Sequence, residues 1–464
     1  MKETTEKKLT VKFIDLFAGI GGFRLGLENA CVELGLKASC VFTSEIKPHA
    51  VRIYTENFSG QSISGDITQI DADKIPEFDV LLAGFPCQAF SVAGKREGFA
   101  DTRGTLFFEI ERILKLKRPR AFILENVEGL VGHDRQRPKD RIGRTLQTII
   151  QILESMDYKV NWKVLNSADF GLPQNRKRIF IVGALNHSVS LNGFVPNKIK
   201  LKTILEHGLP VLNTRLAKLL TTRYSRVELQ GKAIKDKRGG DANIHSWDIG
   251  LKGKINKQQS KLLEALLRVR RSKKWAASKG INWMDGMPLT IKEIRTFMDM
   301  PNLKESLDDL VTKGYLTLEH PKDLVASLIN GVSINSRKPI SSLEKGYNIV
   351  TGKLSFDINV ILDPEGVCPT LVATDLSRIV VSDVDGLRPL CDLELRRMFG
   401  FPDDFIITGS QTERADVFGN TIPVAVVKNV AKRVIESTFL GKDYSDLKYP
   451  SEGNRQQLLF AGNF

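Results

Sequence analysis

The sequence is poor in the residues that build disulfide-stapled or metal-stabilised folds. It holds five cysteines and six histidines in 464 residues, with no Cys-x-x-Cys pair and no histidine at ligand spacing from a cysteine. It also lacks any apolar run near the ~20 residues of a membrane span, and its polar start lacks the apolar stretch of a signal peptide. We therefore expect a soluble cytoplasmic protein without disulfides, zinc or membrane attachment.

Positive charge is what the sequence has in excess, and that charge is concentrated in one stretch. The formal net charge is +14, and residues 191–280 alone hold 21 Lys and Arg against six Asp and Glu. Such a stretch is typical of a surface that neutralises nucleic-acid phosphates, although a solvated basic face without a partner explains the count equally well. At 42% hydrophobic composition the chain can bury a large core, and its length favours two domains.

A cysteine stands where an open α/β sheet binds its ligands. Val80-Leu81-Leu82-Ala83 predicts a buried strand, and Gly84-Phe85-Pro86-Cys87-Gln88 follows at its end. Cys87 is therefore placed to act as a nucleophile, although a lone cysteine is more often a small buried hydrophobe. The segment from Ser91 to Arg103 is polar and lacks an apolar period, which predicts a mobile loop that closes over the site.

Two carboxylates follow successive predicted strands near the N-terminus. Residues 11–17 predict a strand, and residues 18–22 predict a glycine turn into a helix. Glu45 ends the second strand, and Asp66 follows at a further turn. A glycine turn lets a ligand approach a helix N-terminus, and a downstream acid can bind a ribose, so the series describes an adenosine pocket. Taken singly, a plain turn and two surface acids explain these residues as well.

A third carboxylate and two arginines are predicted at the same edge of the sheet. Residues 121–124 predict a buried strand with Glu125 at its end, facing the edge that carries Cys87. Strands predicted at 159–166 and 178–183 flank a basic segment, in which Arg176 and Arg178 point to one face if the backbone is extended. A solvated basic turn explains these arginines equally well.

Together these motifs resemble those of the bacterial cytosine-C5 DNA methyltransferases of restriction-modification systems. The N-terminal matches are Asp15-Leu16-Phe17-Ala18-Gly19-Ile20-Gly21-Gly22, Gly84-Phe85-Pro86-Cys87-Gln88, Glu125-Asn126-Val127 and Gln174-x-Arg176-x-Arg178. Towards the C-terminus, the ninth motif of the family is matched by Arg388-Pro389-Leu390, Glu394, Arg397 and Gly400-Phe401-Pro402, and the tenth by Gly419-Asn420-Thr421-Ile422-Pro423-Val424. The resemblance covers roughly residues 11–185 and 386–435.

The resemblance implies a class I methyltransferase, which is an α/β protein with a Rossmann-like, doubly wound, mostly parallel sheet. A second, smaller domain would recognise the DNA target. Residues 1–185 would form the catalytic and S-adenosylmethionine-binding domain, residues 186–385 the target-recognition domain, and residues 386–464 would return to the catalytic domain and end in a tail.

The middle part of the chain carries signals of a helical insert. Residues 258–271 are amphipathic, capping boxes are predicted at Thr290 and Asn302, and residues 315–319 alternate as a short strand. This order resembles a winged helix-turn-helix near residues 257–320, which could lay a helix in the major groove. An all-helical elaboration that packs the domain fits equally well.

The resemblance also implies roles for individual residues. S-adenosylmethionine would be bound by Phe17, Gly19, Gly21, Glu45, Asp66, Ile67, Pro86 and Asn420. Catalysis would use Cys87 as the nucleophile, Glu125 at the cytosine N3 edge, and Arg176 and Arg178 at the flipped nucleotide. DNA contacts are expected from Gln88, Ser91, Arg103, Thr370 and, within the basic stretch, Lys273 and Lys274. The sequence departs from the family at Ile46, where many members place an aromatic ring against the adenine.

The expected reaction is methylation of C5 of a flipped cytosine in a specific double-stranded DNA sequence, which would protect host DNA. We expect a monomer that acts separately from a cognate restriction endonuclease. Two alternatives stay open. A tRNA cytosine-C5 methyltransferase would use the same pocket but needs no large basic domain. A non-enzymatic DNA-binding protein could be built on an inactive methyltransferase.

Overall fold

The computed structural model of the protein describes residues 9–86, 106–137, 139–237, 239–329, 332–351 and 356–444. The chain forms two compact units. Unit 1 comprises residues 1–205, 365–376 and 391–464, and unit 2 comprises residues 206–364 and 377–390. The chain therefore passes from unit 1 into unit 2, returns to unit 1 at residues 365–376, re-enters unit 2 at residues 377–390 and ends in unit 1. None of the helices described has the length and apolar composition that a bilayer span needs.

Strands and helices alternate through the first part of the chain and again towards its end. The strands are β1 (Thr10–Leu16), β2 (Lys37–Ser44), β3 (Val80–Gly84), β4 (Ala121–Val127), β5 (Lys159–Asn166), β6 (Lys177–Ala184), β7 (Ala233–Ile234), β8 (Asn243–Ile244), β9 (Leu316–Glu319), β10 (Lys322–Ile329), β11 (Val332–Pro339), β12 (Gly346–Ile349), β13 (Val360–Ile361), β14 (Ile379–Asp383) and β15 (Gly386–Pro389). The α-helices are α1 (Gly22–Glu33), α2 (Pro48–Asn57), α3 (Leu106–Lys117), α4 (Arg144–Glu154), α5 (Arg215–Arg223), α6 (Arg226–Leu229), α7 (Lys257–Val269), α8 (Lys274–Ser278), α9 (Ile291–Arg295), α10 (Leu303–Thr312), α11 (Asp392–Phe399), α12 (Gln411–Asn420) and α13 (Val424–Phe439).

Unit 1 is built on a six-stranded sheet with the order β2-β1-β3-β4-β6-β5. The pairs β1/β2, β1/β3 and β3/β4 are parallel, whereas β6 runs antiparallel to both of its neighbours. Parallel strands are covered on both faces and so read as continuous apolar runs. This is the pattern of β3, where Val80 to Ala83 are all buried. The predicted α/β, Rossmann-like and mostly parallel sheet is confirmed.

Helices cover both faces of this sheet. On one face, α1 packs with α13, which belongs to the part of the chain that returns from unit 2. On the other face, α3 and α4 bury their apolar sides, including Ile110, Leu114, Ile149 and Leu153. The approach of α1 to α13 is close because Gly26 has no side chain. A Cβ at Gly26 would lie 2.4 Å from a methyl carbon of Val427.

Replacing Gly26 by Ala should lower the thermal unfolding midpoint, even though alanine is the better helix former. Overpacking of a core costs about 1–3 kcal/mol, whereas exchanging a helical glycine for alanine contributes at most about 1 kcal/mol. Gly129→Ala is the control, since its new Cβ would meet only Val127, at 3.9 Å. A midpoint for Gly26→Ala at or above that of the wild type would contradict the close packing.

Among the residues of unit 2 that the structure describes, two hydrophobic clusters form. One lies against a mixed five-stranded sheet with the order β15-β14-β13-β7-β8. The other joins α7, α8, α9 and α10 to the antiparallel pair β9/β12. Leu289 forms a further antiparallel bridge to Tyr347 of β12, and the β10–β11 hairpin connects β9 to β12. Three extended segments therefore accompany the helical cluster: β9, β12 and the segment at Leu289.

The two predicted capping boxes of this cluster have different outcomes. At Thr290 the box is present, with the hydroxyl accepting from the Glu293 N–H and the Glu293 carboxylate accepting from the Thr290 N–H. At Asn302 the prediction is wrong. Asn302 adopts a left-handed backbone with a φ of 56°, and its side chain makes no capping hydrogen bond. A capping side chain needs an extended backbone at this position.

Candidate active site

A cavity of about 610 Å³ in unit 1 gathers most of the predicted site residues. It lies where β1 to β4 end, because the carboxyl ends of parallel strands meet at one edge of a sheet. The predicted residues that line it are Phe17, Gly19, Glu45, Asp66, Ile67, Pro86, Glu125, Arg176, Arg178 and Asn420. Its volume is that of a pocket for a cofactor-sized molecule, roughly 300–1,000 Å³.

The turn after β1 leads into α1 through residues with left-handed backbones. Phe17, Gly19 and Gly21 have φ angles of 56°, 55° and 88°. Gly21 is the N-cap of α1. A Cβ at this position would lie 2.3 Å from the Phe58 ring, so only glycine fits. Gly21 itself is not among the residues lining the cavity. No side chain caps α1, and its first turn holds no acidic residue. The positive end of this helix is therefore suited to an anionic group.

Glu45 joins this turn to the start of α2. Its Oε2 accepts a hydrogen bond from the Gly19 N–H at 2.7 Å, and its Oε1 accepts from the N–H groups of Ile46 and Lys47, both at 2.8 Å. A carboxylate has about four lone-pair sites. Three are used, so Glu45 keeps one acceptor site, on Oε2, for a ligand.

Asp66 and Ile67 form another part of the cavity wall. Asp66 Oδ1 accepts from the Thr68 N–H at 2.9 Å and so caps a single 3₁₀ turn, while Oδ2 accepts no hydrogen bond from the described residues. Ile67 is buried and offers an apolar surface. Ile46 also lines the cavity and is 68% exposed, so an aliphatic side chain stands at this wall, as the sequence indicates.

Glu125 and Arg178 form an ion pair at the end of β3. The Arg178 Nε lies 3.0 Å from Glu125 Oε1. In the parallel pairing of β3 with β4, Glu125 lies opposite Gly84. Gly84 stands three residues before Cys87 in the sequence. The sequence placed Glu125 after its strand, but β4 continues to Val127 because it pairs with β6 along that length. Burial raises the pKa of Glu125, and the two cations Arg178 and Arg176 only partly oppose this.

Asn126 holds the backbone that leads to the predicted nucleophile. Its Nδ2 donates to the Phe85 carbonyl at 2.9 Å, and its Oδ1 accepts from the Val127 N–H at 2.8 Å. The sequence motifs assigned Asn126 no role, although a polar residue inside an apolar strand is a usable signal. Cys87, Gln88, Ser91 and Arg103 lie outside the described residues.

Arg176 lies deeper than Arg178 and has different partners. Its Nη1 donates to the Leu371 carbonyl at 2.9 Å, and its Nη2 donates to the carbonyls of Gly419 and Thr421 at 2.8 and 2.9 Å. Arg176 is only 2% exposed, and burial lowers its pKa to about 9. Both arginines line the cavity, as predicted for one shared site, but Arg176 directs these donors to the backbone of the returning chain.

The remaining predicted DNA contacts lie elsewhere. Thr370 donates from its hydroxyl to the Asn175 carbonyl at 2.5 Å and lines a second, more open cavity of about 380 Å³, which also includes Lys177 and Arg178. Lys273 and Lys274 belong to unit 2, where both are exposed.

The sheet and its site define the class of protein. A mostly parallel sheet with a glycine turn after β1 and carboxylates at successive strand ends is that of a class I methyltransferase. Among solved structures, a prophage-encoded DNA modification methyltransferase of E. coli covers 93% of this chain and 100% of its own, with a TM-score of 0.50 and 21% identity. At this identity the likeness shows the fold alone.

Sequence comparison shows the family. The family described as C-5 cytosine-specific DNA methylase matches residues 11–436. The Type II methyltransferase M.NlaIV of Neisseria lactamica is 52% identical over 427 residues, which are 92% of this chain and 99% of that protein. M.BanI of Aneurinibacillus aneurinilyticus is 38% identical over 456 residues, covering 92% and 96%. The chain belongs to the C-5 cytosine-specific DNA methylases, and it is a DNA (cytosine-5-)-methyltransferase of the restriction-modification type.

Replacing Glu125 by Gln should leave the thermal midpoint at neutral pH unchanged or raise it. Because burial raises the folded-state pKa of Glu125, the native state binds this proton more tightly than the unfolded chain does. Ionisation of the Glu125 carboxyl group therefore destabilises the folded state as pH rises through the folded-state pKa. Below the unfolded-state pKa of about 4.3 the group is protonated in both states, and this destabilisation vanishes.

Thermal midpoints of wild type and Glu125→Gln, measured from acidic to neutral pH, check this expectation. The two curves should converge at the acidic end. A lower midpoint of the variant at neutral pH would mean that the Arg178 ion pair outweighs the effect of burial.

Proposed function

We propose that the chain transfers a methyl group from S-adenosylmethionine to C5 of a cytosine flipped out of a specific duplex DNA sequence, and thereby protects host DNA from a cognate restriction endonuclease. It acts as a monomer, separately from that endonuclease. The observation that carries the proposal is that one cavity holds both the residues suited to a base and those suited to the cofactor. The Glu125–Arg178 pair lies beside the backbone that leads to Cys87, and the carboxylates of Glu45 and Asp66 line the same cavity.

The described residues fit the cofactor. Glu45 and Asp66 each keep an acceptor oxygen, which suits the hydroxyl groups of a ribose and the amino group of an adenine. The uncapped N-terminus of α1 suits a carboxylate. When bound, S-adenosylmethionine supplies an electrophilic methyl group.

The base would be held by the other half of the cavity. Cytosine C5 is a weak nucleophile until a thiolate adds to C6. Cys87 directly follows Pro86 in the sequence, and Pro86 lines the cavity. The raised pKa of Glu125 supports proton sharing with N3, and Arg178 would offset charge at O2. Neither C5 nor C6 is accessible to the enzyme inside a duplex, so the base must leave the stack, at a cost of a few kcal/mol.

DNA that carries 5-fluorocytosine at the target should trap the enzyme covalently. After the methyl group is added at C5, elimination of the Cys87 thiolate requires loss of a proton that fluorine has replaced. The adduct should appear on a denaturing gel only when S-adenosylmethionine is present, and Cys87→Ser should abolish both adduct and methylation, since a thiol with a pKa of about 8.5 ionises far more readily than a hydroxyl.

Cys391→Ser provides the matched control. It changes another cysteine of unit 1, at the N-cap of α11, where serine is a favoured residue. This variant should form the adduct normally. An adduct with Cys87→Ser, or a substrate preference for tRNA over duplex DNA, would refute the proposal.

Unit 2 would recognise the target, and its surface charges suggest how. The order of the helices α7 to α10, together with the extended segment at Leu289 that pairs with Tyr347 of β12, supports a winged-helix-like insert. Five exposed cations lie on α7 and at the start of α8, and none of the five forms an ion pair within the described residues. They are Lys257, Lys261, Arg268, Lys273 and Lys274.

The last helix of the insert, α10, is a poor candidate for the major groove. Within α10 and the residue that follows it, Lys304 pairs with Asp308 at 2.6 Å and Lys313 pairs with Asp309 at 2.5 Å. Glu305 leaves this helix with a net negative charge. A negative helix is repelled by phosphates, so we assign the phosphate contacts of the insert to the α7–α8 surface.

Replacing Lys273 and Lys274 by Ala should weaken DNA binding and flatten its salt dependence without changing the methylated sequence. The logarithmic slope should fall by about 0.9 for each phosphate that is no longer neutralised. Lys304→Ala serves as the control, because this lysine already pairs with Asp308. Filter binding at several salt concentrations and sequencing of the methylated cytosines test this. An unaltered slope, or a changed site, would contradict it.

A further inference from the structure

We propose that Asp416 is a positioning residue that fixes the amide orientation of Asn420, so that Asn420 presents its carbonyl oxygen to the amino-acid part of the cofactor. This rests on the proposed use of S-adenosylmethionine. Asp416 and Asn420 both line the cavity, and none of the sequence motifs assigned Asp416 a function.

The hydrogen bonds around Asp416 carry the argument. Asn420 Nδ2 donates to both the Asp416 carbonyl and Asp416 Oδ1, each at 2.8 Å. An ionised carboxylate and a backbone carbonyl can only accept, so the two acceptors of Asp416 together select the amide orientation with the nitrogen towards Asp416. Both N–H donors of Asn420 are then used. The side chain can offer a ligand only its oxygen, which suits an ammonium group and not a carboxylate.

The other oxygen of Asp416 is held by α2 and the residue before it. Lys47 Nζ and His49 Nε2 approach Asp416 Oδ2 at 2.7 and 2.8 Å. Burial alone would raise the pKa of Asp416, but these two partners lower it below its ordinary value, which keeps the carboxyl ionised. The Lys47 N–H is in turn held by Glu45 Oε1. Asp416 therefore links the Glu45 side of the cavity to the Asn420 side.

The backbone and the side chain of Asn420 are fixed by different groups. Arg176 binds the carbonyls of Gly419 and Thr421, on either side of Asn420. It places the peptide but does not set the orientation of the amide group. Asp416 sets that orientation, so its loss should disturb ligand recognition while the fold is kept.

The chain offers a matched control on the same helix. Glu413 of α12 pairs with Arg52 of α2 at 3.4 Å, one turn before Asp416. Glu413→Gln, like Asp416→Asn, replaces a carboxylate that links α12 to α2 by an amide of the same shape. Glu413 is not among the residues lining the cavity, and its carboxylate accepts instead from Ser410 at the start of α12. A general weakening of the α2–α12 contact would affect both variants equally.

Two ligands distinguish the proposed role. S-adenosylhomocysteine carries the amino-acid part, and methylthioadenosine lacks it. For Asp416→Asn we expect S-adenosylhomocysteine to bind roughly tenfold more weakly by calorimetry, as when a charge-assisted hydrogen bond is removed, and methylthioadenosine to bind as it does to wild type. The KM for S-adenosylmethionine should rise similarly, with kcat within about twofold of wild type, because the contact forms before the reaction. Glu413→Gln should match wild type throughout.

The outcomes separate this inference from the proposed function. If wild type binds neither ligand, the proposed use of S-adenosylmethionine fails. If wild type binds both and Asp416→Asn is unaffected, weakens both ligands equally, or changes in step with Glu413→Gln, the positioning role is overturned. Only a selective loss of S-adenosylhomocysteine binding supports it.

Discussion

Unit 1 depends on a buried guanidinium that joins the first part of the chain to the part that returns from unit 2. Burying a cation costs several kcal/mol unless its donors find acceptors. Arg176 finds three backbone carbonyls, those of Leu371, Gly419 and Thr421, and lies over the Phe399 ring. All these partners belong to the returning segments. The contacts that tie the returning segments to the first part of the chain therefore also complete the wall of the cavity.

This arrangement connects both sides of the active site to β6 and the residue that precedes it. Arg178, two residues after Arg176, pairs with Glu125 on the side proposed for the base. Arg176 holds the peptide of Asn420 on the side proposed for the cofactor. A shift of β6 would move both sets of contacts together. The transfer of a methyl group between two ligands requires such a common frame, because reacting atoms must meet within about 3–3.5 Å.

Charge is used in opposite ways in the two units. In unit 1 the carboxylates of Glu45 and Asp66 accept from backbone N–H groups, and each keeps a defined acceptor site. In unit 2 Lys304 of α10 and Lys313, which follows it, pair with neighbouring carboxylates, whereas the five exposed cations of the α7–α8 surface have no such partner within the described residues. A local count of charges therefore locates a basic stretch but not the surface that presents it.

The sheet, the glycine turn and the strand-end carboxylates could be predicted from the residues alone, because apolar periodicity and turn residues act over a few neighbours. Local patterns missed the extension of β4 through Glu125, which depends on pairing with β6, and the left-handed backbone at Asn302. Only the tertiary structure shows that Arg176 binds carbonyl groups up to 245 residues away in the sequence, and that Lys47 binds Asp416, which is 369 residues away. Such partners share no local pattern; they meet because the returning chain packs against the sheet.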